Sequence, residues 1–448
     1  MAKKKKSGLH IGNYVIRPLG LTIIGLLLVA LIVVGTLIIA RSISGNEPED
    51  LSAPDPTRQV ITLTPDPTVE PEETPEPSVT PSPSPTPSPT PGLRSATIRS
   101  LGEIVVQQNV LNAARTETSY DFTPMFEYIS DVVGNADWTV GDVEGPMDNR
   151  PDSAYSGSDP FNTPPQIMLA LKAAGVDMLT LANGQTLDMM FEGLQQTIAN
   201  CKTEGVNMEY IGAFASQEEF ETPKVIDVNG INVGFLNYTT SMGGMEQQSK
   251  AEALTYGVAT TSNTSPHEDV QKAREAGADV VVAYISWGQV GQRELGQAEF
   301  NAATALAQAG VDVLIGFHPH TVIPPRWFDV QLEDGSSHRM LCLCATGNFL
   351  SDQRDRYTCN GIIFEFTIEE TSAGVFEITE PTYIPTYVWR YQAEDGDGYD
   401  YRVLAVGEWL DERPEGMSDQ DYTNMQTVWN DLQQTMSQGN VGAKLSAN

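Results

Sequence analysis

The sequence predicts a layered α/β fold, a two-sheet sandwich flanked by helices, joined to its N-terminus through a membrane-spanning helix and a proline-rich spacer. One unit occurs three times: a helix ending in Ala-Gly, one residue, an Asp, a β-run and a polar tip. The copies are Ala174-Gly175-Val176-Asp177 with Met178 to Ala182 and Asn183-Gly184-Gln185; Ala276-Gly277-Ala278-Asp279 with Val280 to Ile285 and Ser286-Trp287-Gly288; and Ala309-Gly310-Val311-Asp312 with Val313 to Ile315 and Gly316-Phe317-His318-Pro319-His320. Gly ends each helix by taking left-handed backbone. The β-branched run that follows reads as a strand buried on both faces. Polar tips just past such strands lie where α/β sheets place ligands, because the strand ends open into a crevice.

The second observation is the N-terminal composition. Lys3, Lys4, Lys5, Lys6 and Arg17 precede an uncharged apolar run from Leu19 to Ala40, closed by Arg41. About 22 residues at 1.5 Å each give roughly 33 Å, enough to cross a bilayer. No Ala-x-Ala cleavage signal follows, so an uncleaved anchor is expected, with a cleaved signal peptide as the alternative. The positive-inside rule puts the N-terminus in the cytoplasm and the remainder outside the cell. From Ser42 to Arg94 lie nearly half of the 29 prolines, ending in alternating Pro-Ser and Pro-Thr. That composition cannot build a core; it forms a disordered, polyproline-II-like spacer reaching on the order of 100 Å.

The third observation is charge. The chain of 448 residues has 26 Lys and Arg against 59 Asp and Glu, a formal net charge of −33. Every acidic residue lies beyond Arg41. Such a surface repels nucleic acid and anionic lipid, so neither is an expected partner; it also repels a polyanion unless cations intervene. Simple solubility in an outer compartment is the alternative reading of the charge, and the favoured one. Cys201, Cys342, Cys344 and Cys359 show no zinc-knuckle spacing. Cys342 and Cys344 share one face of a strand and do not bond each other; a bridge from either to Cys359 and buried free thiols both remain open.

In order, the folded part reads as a strand from Ala96 to Val106, a helix from Phe122 to Val133 and a strand from Trp138 to Val143. Pro164-Pro165 open a helix through Ala174, proline being at home in the first turn. A helix follows from Glu192 to Lys202. Lys224–Val228 and Ile231–Asn237 flank Asn229-Gly230, a two-residue hairpin signal. Helices near Glu268–Glu275 and Ala298–Ala309 feed the second and third units. Strands at Trp327–Leu332, Met340–Cys344, Ile362–Ile368 and Val375–Ile378 and a closing helix at Asp419–Met436 complete the chain. The expected domains are 1–18 cytoplasmic, 19–40 transmembrane, 41–94 spacer, 95–370 α/β domain, and 371–448 a C-terminal β/α extension.

His318-Pro319-His320 is the sharpest chemical signal among only five histidines: two imidazoles at a strand tip suit metal binding or phosphate handling. A hydrogen-bonded turn is the structural alternative. Asp142 and Glu144 flank Val143, so alternation aims both carboxylates to one side, for a hard cation or acid–base work; a solvated strand end is the alternative. The amides of Asn183 and Gln185 can meet a metal or substrate, although Asn-Gly is also a turn signal. Trp287 fits packing better than recognition. Asn348 follows Gly347, which lets backbone approach a ligand. No phosphate loop, nucleophile elbow or dinucleotide fingerprint is present.

In this order the motifs resemble the CapA family, bacterial poly-γ-glutamate capsule-synthesis proteins with a fold related to calcineurin-like metallophosphoesterases. The resemblance runs from about Ala96 to Glu365. The family's Gly-Asp is here Gly102-Glu103, its Asn-Leu-Glu is Asp142-Val143-Glu144, and its Ala-Asn-Asn-His is Ala182-Asn183-Gly184-Gln185. Its His-Trp-Gly is Ser286-Trp287-Gly288, its Gly-His-His-Pro-His is Gly316-Phe317-His318-Pro319-His320, and its Leu-Gly-Asn-Phe is Thr346-Gly347-Asn348-Phe349. Three positions where the family usually has His hold Gln185, Ser286 and Phe317. The resemblance implies His318, His320 and Asp142 as catalytic groups, and Asn183, Gln185, Trp287 and Asn348 as substrate contacts. It implies Glu103, Glu144, His318 and His320 as ligands of at most one divalent cation, Mn²⁺, Mg²⁺ or Zn²⁺. A dinuclear centre needs more imidazoles and carboxylates than remain. The expected partners are other membrane components of a capsule-synthesis complex and an anionic polymer. Three functions follow: a capsule-assembly protein without hydrolytic chemistry, an active metal-dependent hydrolase or transferase, or a structural envelope protein.

Overall fold

The computed structural model describes residues 9–11, 14–16, 92–379, 381–393, 396 and 398–446. The chain divides into two units, Met1–Thr86 and Pro87–Asn448. In the first, Leu9–Ile11 and Tyr14–Ile16 pair antiparallel. The expected transmembrane helix at 19–40 and the spacer up to residue 91 lie outside the described residues. Among the described residues no helix is long and apolar enough to cross a membrane.

The second unit is built on two sheets. Four strands, β1 (Ser95–Ile104), β2 (Trp138–Val143), β3 (Met178–Thr180) and β4 (Glu209–Ile211), run parallel in the larger, ten-stranded sheet. The hairpin β5 (Lys224–Val228) and β6 (Ile231–Thr239) then opens a six-stranded sheet. Its turn is Asn229-Gly230 with φ of 53° and 84°, the left-handed pair that this hairpin requires. The sheet continues through parallel β7 (Val280–Ser286) and β8 (Val313–Phe317), then β9 (Arg326–Gln331) and β10 (Ser337–Leu343). The chain returns to the larger sheet as β11 (Asn348–Leu350), β12 (Asn360–Ser372), β13 (Thr382–Gln392) and β14 (Tyr399–Ala405).

Alternation along the central strands sorts their side chains into layers. Val280, Val282 and Tyr284 of β7 meet Ala96, Ile98, Phe364 and Phe366 of the other sheet in a shared core. The Tyr284 hydroxyl reaches across to Ser100 Oγ at 3.1 Å. The opposite residues, Val281, Ala283 and Ile285, pack under the helices Pro266–Glu275 and Gln297–Ala309. Helices at Gln166–Ala173 and Met190–Cys201 cover the outer face of the larger sheet. The order is helix, sheet, sheet, helix: an α/β sandwich flanked by helices.

The Asp of each repeated unit has one structural job. Asp177 gives its backbone N–H to Thr139 O at 2.9 Å, and its Oδ2 accepts the Thr139 N–H at 2.9 Å. Asp279 does the same with Asn232, and Asp312 with Val281. The carboxylate thus stands in for the missing carbonyl just before a strand begins, leaving no buried donor unpaired. A fourth copy, absent from the sequence reading, is Asp137, which grips Thr97 in the same way. It follows Gly134 by three residues rather than two, which hid it.

One expectation changes. The apolar spacing from Phe122 to Val133 predicts one helix, but the backbone forms two short ones, Thr123–Phe126 and Ser130–Val133, parted at Ile129, whose φ is −132°. Both pieces still bury Phe126, Ile129 and Val133 in the core beneath the larger sheet. In residues 371–448, β13 and β14 extend the larger sheet, which β12 carries through position 370, and the helix Asp419–Met436 adds Met425, Val428, Leu432 and Met436 to the core between the sheets.

Candidate metal centre

The parallel strands deliver their C-terminal ends to one place. Glu103 and Asp142, each one residue before the end of its strand, β1 and β2, are register partners; Asp142 is in turn the partner of Thr180 at the end of β3. Gly102 permits this convergence: a Cβ there would lie 2.4 Å from Gly347 O, where the Asn348 segment crosses. From the other sheet, the tip after β8 brings in His318 and His320. Both take left-handed backbone, φ 95° and 58°, a conformation unusual for His and held only where the surroundings demand it.

His320 is clamped. Its Nδ1 lies 2.6 Å from Glu103 Oε2 and 3.2 Å from Asn348 Oδ1, and its backbone N–H donates to Glu103 Oε1 at 3.3 Å. Asn348 is itself fixed, donating to Thr358 O at 2.8 Å and Gln353 Oε1 at 3.0 Å. Glu103 therefore sits behind the imidazole, the position from which a carboxylate orients a ligating His and raises its basicity. Burial works against the His320 charge, but Glu103 and Glu144 outweigh it and lift the imidazole to about 10. For His318 burial wins: it lowers the pKa, with His320 adding to the fall and Glu103 only partly opposing it.

The carboxylates are strained electrostatically. Burial and the neighbouring Glu144 raise Asp142 well above the usual carboxylate range, against a 2.5 Å hydrogen bond from Thr180 Oγ. Burial also lifts Glu144 to about 7, with Glu103 and Asp188 adding to the rise and His320 opposing it. Several buried acceptors here have no hydrogen-bond partner, among them Asp142 Oδ2, Glu144 Oε1 and His318 Nδ1. Each such group costs about 1–3 kcal/mol. Glu144, His318 and His320 bring one ligand atom apiece within 4.8 Å of one another. Mixed nitrogen and carboxylate donors, orphaned together in a buried spot, fit a divalent cation. Glu144, His318 and His320 would hold it, and once bound it would polarise an oxygen of a ligand as a Lewis acid.

Other residues singled out in the sequence divide between bracing and packing. Asn183 is buried and donates to Val143 O at 3.0 Å, while its Oδ1 accepts the Gln185 N–H at 3.1 Å; it ties the first tip to the end of β2. Gln185 Oε1 is buried without a partner. Trp287 stands apart: its indole is buried and donates to Cys344 O at 2.9 Å, the packing alternative. Ser286 and Phe317 are register partners, and Phe317 stacks on Tyr284 at 5.9 Å inside the shared core. The four cysteines are free, with Cys342 and Cys344 sulfurs 4.0 Å apart. Thr180 and Thr358 escaped the sequence reading. Thr180 closes the first repeated strand, three positions before the Asn183 tip.

Fold and site define an α/β sandwich carrying a buried His–carboxylate cluster at its strand ends. Residues 97–353 match the family model of the bacterial capsule synthesis protein PGA_cap, and the chain belongs to that family. It is 22% identical over 286 residues to the capsule biosynthesis protein CapA of Bacillus anthracis, covering 63% of this chain and 66% of that protein. It is 23% identical over 259 residues to the PGA biosynthesis protein CapA of Bacillus subtilis strain 168, covering 57% and 64%. The match thus spans just under two thirds of either relative. A hypothetical protein from Thermus thermophilus overlays 64% of this chain and 99% of its own, at 13% identity and a TM-score of 0.36. The calcineurin-like phosphoesterase YfkN from Bacillus subtilis overlays 78% of this chain and 99% of its own, at 13% identity and a TM-score of 0.39.

Proposed function

We propose that this chain is a membrane-anchored, extracellular capsule-synthesis protein that acts in the synthesis, export or anchoring of a poly-γ-glutamate-type polymer and holds a single divalent cation, Mn²⁺, Mg²⁺ or Zn²⁺. The observation that carries the cation is the trio of unpartnered buried acceptors on Asp142, Glu144 and His318. The family match supports the capsule role. The basic N-terminus and the apolar run from Leu19 to Ala40 support the anchor.

Among the described residues, Glu144, His318 and His320 form the one group of His and acidic side chains close enough to hold an ion, which supports a single cation. Phe317 carries no donor and is turned into the core, and Ser286 is buried beside it. A mononuclear site suits binding or bridging of an anionic chain to this acidic protein better than two-metal hydrolysis. The hydrolase reading keeps one point in its favour: burial and Glu144 raise the Asp142 carboxyl well above the usual carboxylate range, which suits a proton donor.

Elemental analysis of the full-length protein in detergent tests the proposal. About one equivalent of metal is expected, lost in the His318→Ala/His320→Ala variant. A metal-free wild type after incubation with Mn²⁺, Mg²⁺ and Zn²⁺ would remove the cation from the proposal. Two equivalents, with phosphoester turnover, would replace it by the hydrolase reading.

A further inference from the structure

Basic groups are scarce in this chain, yet four arginines gather beside the candidate metal centre. The guanidinium of Arg293 lies 3.5 Å from the centroid of the Tyr357 ring, and that of Arg356 lies over the same ring at 5.3 Å. Arg356 is also paired through two nitrogens with Asp431, at 2.7 and 2.8 Å. Among the described residues no carboxylate pairs with Arg293. Its charge is held against a flat ring, and the residue is exposed.

Next to Arg356 is a cleft of about 620 Å³ that Arg354 and Arg390 also line. Arg390 pairs with Asp352 at 2.9 Å, an oxygen that also accepts the Tyr401 hydroxyl at 2.7 Å. Arg354 is left with backbone carbonyls, those of Ser351, Val388 and Asp352 at 2.6, 3.0 and 3.3 Å; its nearest carboxylate oxygen is 4.0 Å away. Asp421 at the cleft wall is occupied by the Ser418 hydroxyl at 2.6 Å. Two of the four guanidinium groups, those of Arg293 and Arg354, are thus held without a close carboxylate on a chain of net charge −33.

The stack is wired to the site. Gly291, in the loop that carries Arg293, donates to Pro319 O at 2.8 Å, between the two site histidines. Thr358, next to Tyr357, holds Asn348, which touches His320. Both loops that bear the stack are thereby one or two hydrogen bonds from His320.

We propose that the Arg293–Tyr357–Arg356 stack and the adjoining Arg354 cleft form a docking track for a chain bearing several carboxylates, leading to the His320 site. Planar guanidinium forks match carboxylates two bonds at a time, and a ring-stacked fork loses little freedom on binding. The global charge repels a polyanion, so its capture needs guanidinium groups without a close carboxylate, as these two are. The track rests on the capsule-polymer reading only for the choice of probe.

Titration calorimetry of the full-length protein in detergent with penta-γ-glutamate tests it. Arg293→Gln should weaken binding about tenfold and Arg293→Glu further, while Arg293→Lys recovers only part. Arg293 is chosen because its side chain braces nothing, whereas Arg354 holds its own loop. Equal affinity in wild type and Arg293→Glu, or no binding by wild type, would overturn the track. Pyrophosphate binding as tightly, with the same dependence on Arg293, would overturn its carboxylate assignment. Metal content, measured on the same samples, separates the two proposals: a metal-free wild type that binds the probe through Arg293 sinks the cation alone.

Discussion

The two edges of the parallel strands obey different rules. At the starting edge, Asp137, Asp177, Asp279 and Asp312 repeat one hydrogen-bond exchange with Thr97, Thr139, Asn232 and Val281. At the finishing edge no two tips are alike: one braces β2 through Asn183, one buries Trp287, and one lifts two imidazoles on left-handed backbone. At the starting edge the frame repeats because unpaired strand donors pose the same problem each time. At the finishing edge the tips are free to differ, and the chemistry gathers there.

The sharpest way to break this comparison is at the starting edge. Asp312 Oδ2 accepts both the Val281 N–H at 2.7 Å and Arg274 Nη2 at 2.6 Å. Asp312→Ala should cost about 3 kcal/mol in denaturant unfolding, because two donors lose their acceptor. Metal stoichiometry should stay unchanged; a loss of metal would mean the edges are not separate.

At the finishing edge the opposite sign is expected. Glu144 has a folded-state pKa of about 7, above its ordinary 4.5. A carboxyl raised in this way makes the folded state bind more protons, so stability falls as pH rises from about 4.5 to about 7. Glu144→Gln should therefore stabilise the metal-free protein by about 2 kcal/mol at pH 8 and by almost nothing at pH 4.5. The same variant should bind metal at least tenfold more weakly. Equal melting shifts at both pH values would mean that Glu144 bears no buried charge.

The smallest effect belongs to Asp137. Its exchange with Thr97 is exposed to solvent, so Asp137→Ala should cost about 1 kcal/mol or less by the same measurement. A cost equal to that of Asp312→Ala would show that the exchange itself, rather than its burial, sets the energy.

Legibility in the sequence followed the same division. The strands Trp138–Val143 and Val375–Ile378 and the helix Asp419–Met436 were readable to the residue, because alternation, turn residues and helix period coincide in them. Strand β13 was missed because Pro385 argues against a strand. Pro385 is the register partner of Ile362, but the ladder to β14 begins only at Thr386, so its missing N–H breaks no bond on that side. Of the site, the residues were readable as a list and the wiring was not. Glu103 was expected to ligate a cation, whereas its contact with His320 Nδ1 puts it behind that imidazole. No spacing in the chain encodes a pairing over 217 residues.

The twist of the backbone at His318 and His320 bears on whether the third tip is a relic. Glycine and asparagine enter left-handed backbone with little resistance, and a chain needing only a turn there could use either. Imidazoles at both positions, with no proline or glycine at either to ease the bend, make the tip a poor choice for a scaffold and a good one for a grip.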